Sequence, residues 1–256
     1  MHYLSVTAIF RNENQWLEEW IRYHRHLGAE HFYLYNNDVD RTESDWILQP
    51  YVEAGLVENI SYPGESMQMS AYRDAVSRAI SNTNWLAFID LDEFVLPRYC
   101  DDIRTLMQDY ESFGGMGIYW NVFGSSGYIQ SPPNQINHFL YRANEHFTNN
   151  RFFKCIVRPE QILINQIKHN PHYFQLKKGV LVNEQQEKLS EKEYLGNKIR
   201  IIHYAVRSYD YFFRIKRTRG LATPSSPRDQ QYWNWYNRNE VFDNEISRRF
   251  GNIVQQ

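Results

Sequence analysis

Cysteine is almost missing from this chain: Cys100 and Cys155 are the only two in 256 residues. So small a number excludes a disulfide-stapled scaffold and fits a reducing compartment. Charge of one sign is equally scarce. Lys and Arg number 28 against 30 Asp and Glu, a net of −2, which supplies none of the concentrated basic field that nucleic acid demands. One local cluster is the exception, formed by Arg207, Arg214, Lys216, Arg217 and Arg219. Long hydrophobic runs are lacking too, and nothing approaches the roughly 18–20 apolar residues of a membrane span. The apolar run from Tyr3 to Phe10 has no basic segment ahead of it and is closed by Arg11, so it reads as a strand and not as a signal peptide. These absences predict a soluble, cytoplasmic chain with no nucleic acid among its partners and no transmembrane segment. Peripheral contact with the inner face of a membrane stays open, and the oligomeric state is not legible.

Aromatic residues are abundant instead, at 16% of the chain with 19 Tyr and 7 Trp. Rings in such number either fill a core and its rim or offer surfaces that stack on sugar faces and nucleobases. With 42% apolar residues, the chain can build one large α/β domain around a continuous core. It contains no internal repeat and no linker long enough to separate domains.

The first part of the chain alternates strand and helix. Leu4 to Phe10 reads as a strand. The next segment reads as a helix, with Asn12 or Asn14 as N-cap, Trp16, Trp20, Tyr23 and Leu27 on one face, and Gly28 as the residue past its end. His31 to Tyr35 is a second strand, closed by the turn Asn36-Asn37-Asp38. Thr42 with Asp45 resembles a capping box before a helix that runs to Ala54 and stops at Gly55. Val57 to Tyr62, a helix marked by Met69, Tyr72, Val76, Ala79 and Ile80, and Trp85 to Ile89 complete the series. Such alternation predicts a mostly parallel sheet with right-handed crossovers, with ligands beyond the carboxyl ends of its strands. Beyond Pro97 the rhythm changes. Asp101 to Tyr110 reads as a helix, Met116 to Phe123 as a strand, and Phe152 to Val157 with Ile162 to Ile167 as a hairpin. Ile199 to Ala205 reads as a further strand, and Ser208 as the cap of a helix ending at Gly220. Residues 221–256, rich in Ser, Pro, Asn and Arg, read as a loosely packed tail.

The sharpest chemical signal is Asp90-Leu91-Asp92-Glu93 at the end of the fourth strand. Strand alternation would turn both aspartates to one side. Two carboxylates that close repel unless a cation sits between them. A hard divalent ion such as Mn²⁺ or Mg²⁺, with positions open for phosphate oxygens, meets that need. The plainer reading is a polar strand end with one Asp capping a helix.

Ile89-Asp90-Leu91-Asp92-Glu93-Phe94 resembles the Asp-x-Asp segment of the GT-A glycosyltransferases, and more narrowly that of glycosyltransferase family 92 and its bacterial family-2-like relatives. Other pieces resemble that family in the same order. They are Arg11-Asn12-Glu13 with Glu19-Trp20 and His24, Gly28 with His31 to Asn36, Trp120 to Gly124, and Lys154 before Ile156-Val157. His203-Tyr204 follows, then Ser208, Phe212 or Phe213, Lys216 and Arg219-Gly220. The resemblance spans about residues 4–220.

The resemblance implies a GT-A fold: an α/β domain over residues 1–220, divided into a nucleotide-binding half (1–97) and an acceptor-side half (98–220), with an added antiparallel part. It implies a metal-dependent glycosyltransferase moving a hexose from a nucleotide-diphosphate donor, such as a UDP-sugar, with inversion, to a glycan or lipid-linked acceptor. A lipopolysaccharide or capsule would suit. The nucleotide maps onto Phe10, Arg11, Asn12, Glu13, Asn36, Asp38 and Asp90, with Arg73 as a guanidinium fork for the pyrophosphate. Metal ligands map onto Asp90, Asp92 and His203, with His169 and His172 as competitors for the histidine role. Lys216 and Arg219 are placed on the departing diphosphate, although cations in a last helical turn also serve its dipole. Trp120, Phe123 and Gly124 are placed as a sugar platform, or simply as a buried strand entering a turn. Glu145 is the expected general base, with Glu93 and Asp210 as alternatives. Two rivals stand beside this reading: a haloacid-dehalogenase-like phosphatase, whose Asp-x-Asp sits on a first strand and continues Gly-Thr, and a non-catalytic nucleotide-sugar or glycan binding module of the same fold.

Overall fold

The computed structural model describes residues 1–192, 194–219 and 228–254. Its centre is a parallel core in which each strand is apolar and each crossover helix buries one stripe. β1 (His2–Phe10) lies between β2 (His31–Asn36) and β4 (Thr83–Phe88), and β3 (Val57–Ser61) extends the parallel set beyond β2. The connecting helices are α1 (Asn14–His26), α2 (Thr42–Glu53) and α3 (Gln68–Ala79). In α1 the residues Trp16, Leu17, Trp20, Ile21, Tyr23 and His24 are buried, the stripe an amphipathic helix presents to a sheet. The helix stops where Gly28 takes φ +99°, a conformation that a side chain resists, and an added Cβ there would meet Asp102 Oδ1 at 2.4 Å.

The second half joins this sheet from the other side. β5 (Glu93–Pro97) follows the acidic turn, then α4 (Ile103–Met107) and β6 (Gly115–Phe123). β7 (Tyr141–Arg142), β8 (Phe153–Val157), β9 (Leu181–Val182), β10 (Ile199–Tyr204) and β11 (Val241–Phe242) complete the eleven strands among the described residues. β8 runs antiparallel between β4 and β6, and β10 lies between β5, antiparallel, and β6, parallel. The fold is therefore the α/β type that the sequence predicts: a mostly parallel central sheet with flanking helices and an added antiparallel part.

Several local expectations are corrected. Neither Asn12 nor Asn14 caps α1; Asn12 takes φ +55° and donates its N–H to Asp38 Oδ1 at 2.6 Å, which ties the end of β1 to the turn after β2. Thr42 opens α2 as a helical residue and its side chain makes no cap. Phe153–Val157 is a strand as expected, but Ile162 to Ile167 is not its hairpin partner: it forms a 3-10 turn (Ile164–Gln166) beside a single bridge from Ile162 to Leu176. Ser208 caps α5 (Tyr209–Tyr211), which continues as a π-helix (Phe212–Lys216), and the helix end expected at Gly220 lies outside the described residues. Of the expected loose tail, residues 228–254 are packed: α6 (Gln230–Tyr236) buries Trp233, and α7 (Glu245–Phe250) sends Ile246 and Phe250 into the main core. Arg142 and Arg200 both reach Asp243 there, at 2.7 and 2.8 Å, binding this segment to β7 and β10. Among the described residues no helix is long and apolar enough to cross a membrane.

Candidate active site

β4 ends at Phe88, and Asp90 to Glu93 form a turn closed by the Glu93 N–H on the Asp90 carbonyl at 3.0 Å. The two aspartates thus reach the same cleft through turn geometry and not through strand alternation. Trp20 holds this turn from beneath: its indole N–H is shared between the Asp90 and Glu93 carbonyls, at 3.0 and 2.9 Å. Arg207 holds it from the side, donating to the Leu91 carbonyl at 2.9 Å. Arg207 takes φ +56° and is fully buried, where Glu13, Tyr211 and Gln135 take its remaining donors. Glu13 also pairs with Arg219, whose guanidinium donates to the Arg11 carbonyl at 3.1 Å. Burial alone would raise the Glu13 carboxyl, but the two guanidiniums more than offset it and keep it charged.

The turn opens into a cleft of about 740 Å³ beyond the carboxyl ends of β1 and β4. Its lining takes in Phe10, Arg11, Asn37 and the segment Glu65 to Gln68, the charged group Asp90, Asp92, Lys154, His203, Lys216, Arg219 and Arg228, and Asn149, His172, Tyr232, Trp235 and Tyr236, with Trp120. Each aspartate has its own ammonium. Lys154 Nζ stands 2.7 Å from Asp90 Oδ2 and 3.6 Å from Glu93 Oε2, and Lys216 Nζ stands 2.5 Å from Asp92 Oδ2. Gln68 and Tyr72 add weaker donors to Asp90, at 3.2 and 3.4 Å. Burial would raise the Asp92 carboxyl, yet Lys216, His203 and Arg207 hold it well below the usual carboxylate range. Burial pulls Lys216 down to about 8, which leaves it charged at neutral pH. Glu93, fully buried with one carboxylate oxygen unpartnered, is pushed well up by burial.

β10 delivers His203 opposite Glu93 of β5, and the ring packs on Trp120 at 4.2 Å between centroids. Burial lowers its pKa to about 3, so the imidazole is neutral with a lone pair to give. Its Nε2 stands 3.9 Å from Asp92 Oδ2, and its buried Nδ1 has no hydrogen-bond partner. Adjacent ligands of an octahedral ion, each about 2.1 Å from it, stand about 3.0 Å apart, so this pair would have to draw together by roughly 1 Å to share one. Asp90 does not join them, and among the described residues no group of three or more His, Cys, Asp or Glu gathers to hold an ion. Asp92 and His203 therefore fit a hard cation that takes its other positions from phosphate and water, on condition that Lys216 releases Asp92 and the pair draws together.

Of the residues expected from sequence, Phe10, Arg11, Glu13, Asp90, Asp92, Trp120, His203, Lys216 and Arg219 line the cleft. Others lie outside that lining. Asn36 is fully buried and bonded to Ser44, and Asp38 serves Asn12. Arg73 donates to the Ile167 carbonyl at 2.7 Å, bracing the turn after β8 instead of a pyrophosphate. Phe123 is core, and Gly124 is pressed against the Arg238 carbonyl, 2.3 Å from where its Cβ would be. Glu145 is 71% exposed, stands 3.9 Å from Arg142 and does not line the cleft. Asp210 and His169 are likewise outside, whereas His172 lines the cleft. Sequence reading gave no role to Lys154, Asn149, Arg228 or the aromatic side of α6. The run Tyr232-Trp233-Asn234-Trp235-Tyr236, inside the presumed tail, was the available signal.

Acids and cations gathered past the strand ends of an α/β sheet make a cleft suited to a phosphate-bearing ligand. The model of glycosyltransferase family 92 matches residues 2–250, and the chain belongs to that family. A family 92 protein of Arabidopsis thaliana is 30% identical over 190 residues, 70% of this chain and 32% of that protein. One of Ricinus communis is 30% identical over 187 residues, 69% of this chain and 32% of its own length. The chain thus spans about a third of the length of these curated relatives. Among solved structures, TarS 1–349 of S. aureus is similar at a TM-score of 0.43, with 14% identity over 66% of this chain and 50% of that one. HddC of Yersinia pseudotuberculosis is similar at 0.41, with 11% identity over 71% and 91%.

Proposed function

We propose that this chain transfers a hexose from a nucleoside-diphosphate sugar, a UDP-sugar in the first instance, to a hydroxyl of a glycan or glycolipid acceptor, with inversion. The observation that carries the proposal is the charge arrangement of the cleft. Asp90 and Asp92 pair there with Lys154 and Lys216, and Arg219 and Arg228 line the same cleft, in a chain of family 92. The nucleoside lies along Phe10, Arg11 and Asn37, and the diphosphate meets Lys216, Arg219 and Arg228. Asp92 and His203 would hold a Mn²⁺ or Mg²⁺ ion, which would supply Lewis-acid stabilisation to the leaving diphosphate. Lys216, beside Asp92, would be free to meet a phosphate oxygen once that carboxylate is taken up.

The acceptor oxygen bonds to the anomeric carbon from the face opposite the diphosphate, and the bond from that carbon to the phosphate oxygen breaks with its electron pair on the phosphate. The proton of the acceptor hydroxyl goes to His172. His172 Nδ1–H donates to the Phe153 carbonyl at 2.8 Å, which leaves Nε2 as the ring's acceptor. Burial, with Lys154 nearby, lowers this group to about 4, so it is unprotonated throughout the neutral range. His172→Ala is expected to lower kcat by about 10²–10⁴-fold while UDP still binds; unchanged kcat removes it from the reaction. No lining residue requires a particular compartment, and a cytoplasmic enzyme of lipopolysaccharide or polysaccharide synthesis, peripheral at a membrane, is the setting we propose.

Thermal unfolding with UDP-sugars and Mn²⁺ tests the donor site. A ligand that binds only the folded chain raises the midpoint by mass action. The rise is expected to need sugar nucleotide and metal together and to vanish in Asp92→Asn. A rise that persists in Asp92→Asn rejects the metal assignment.

A further inference from the structure

α6 lines the cleft with an aromatic ridge. We infer that Trp235, Tyr232 and Tyr236, with Asn149, form the seat of a pyranose ring of the acceptor glycan; the inference deepens the transferase reading and rests on it for the word acceptor. Phe10 and Trp120 are largely buried, at 3% and 8% exposure, whereas Trp235 lines the same cleft at 48%. An indole left that open keeps apolar surface in water that a ligand could cover.

The ring is also held in place. Its Nε1–H donates to Asn149 Oδ1 at 3.1 Å, and Asn149 Nδ2 donates to the Tyr236 hydroxyl. Phe147 packs at 5.4 Å between centroids, and the Arg238 guanidinium stands 5.2 Å from the Trp235 ring. Tyr232 stacks on Tyr236 at 4.4 Å and on Phe212 at 5.8 Å. Phe212 opens the π-helix Phe212–Lys216, so ring contacts from Tyr236 through Tyr232 reach the helix that carries the lysine on Asp92.

A fixed aromatic plane edged by an amide and phenolic hydroxyls, with the Arg238 guanidinium over one face of the indole, matches a pyranose that takes the open face. One face of such a sugar is apolar C–H and its rim is hydroxyl. An acyl chain would want a trough without that polar edge, since burying unpaired polar groups costs free energy. Immobilising the platform in advance reduces the ordering cost of binding.

The test is binding, so it does not depend on turnover. Saturation-transfer NMR on the full chain, with UDP present, is run against a panel of methyl pyranosides and β-linked disaccharides for wild type, Trp235→Ala and Trp235→Phe. The expected result is saturation of the C–H protons of one sugar ring, about tenfold weaker binding in Trp235→Ala, and recovery in Trp235→Phe. Thermal unfolding midpoints of the variants check that each is folded. Equal binding in wild type and Trp235→Ala overturns the platform, as does the absence of any pyranoside signal in wild type. Sugar binding that depends on Trp235 in a chain that never turns over a donor keeps the platform and rejects the transferase reading.

Discussion

Asp90 and Asp92 are two positions apart, yet they meet ammonium groups 64 and 124 residues away along the chain. That separation explains why the acidic pair was legible in the sequence and its partners were not. A strand running into Asp-x-Asp is a local pattern, whereas Lys154 and Lys216 come near it only through β8 and the π-helix. The need for a cation between the carboxylates, argued from repulsion alone, is met in this structure by two lysines. A metal therefore has to compete with Lys216 for Asp92. Lys154 is fully buried and serves both Asp90 and Glu93. Lys154→Met leaves the buried Glu93 beside Asp90 without their cation, and is expected to cost about 3–5 kcal/mol of stability. Urea unfolding measures this, and a loss below about 1 kcal/mol would show that the pair is neutralised in some other way.

At the scale of elements, β1 to β4 and α1 to α3 were legible because their apolar periods are clean and Gly28 and Gly55 mark helix ends at positive φ. The two-residue strands β7, β9 and β11 carry no period at all, and α6 and α7 were hidden by the Ser, Pro, Asn and Arg around them. The caps were misread for a different reason. Asn12 gives its backbone to Asp38, and tertiary bonding at the end of β1 overrides local capping. α1 is both scaffold and support for the site, since Trp20 packs in the core while its N–H grips the acidic turn. Trp20→Phe keeps an aromatic ring but leaves those two carbonyls without that donor. It is expected to lose about 1–3 kcal/mol, with amide exchange speeding up first at Leu91 to Glu93. Exchange that rises evenly across the sheet would deny Trp20 this particular role.

For the molecule as a whole, the cleft is built from the carboxyl ends of the parallel strands together with the antiparallel additions. β10 brings His203, β8 brings Lys154, and residues 228–254 bring Arg228 and the aromatic wall. The segment that composition marked as a tail thus closes the site and seals the core through Ile246 and Phe250. The account stands on hexose transfer at this cleft. Its most direct measurement is release of UDP from a panel of UDP-hexoses with Mn²⁺, first with water and then with glycan acceptors, with the product linkage read by NMR. The expected result is UDP release with at least one donor, stimulated by an acceptor, and a product of inverted anomeric configuration. A folded chain that binds UDP yet releases none from any donor, with or without acceptor, would contradict it.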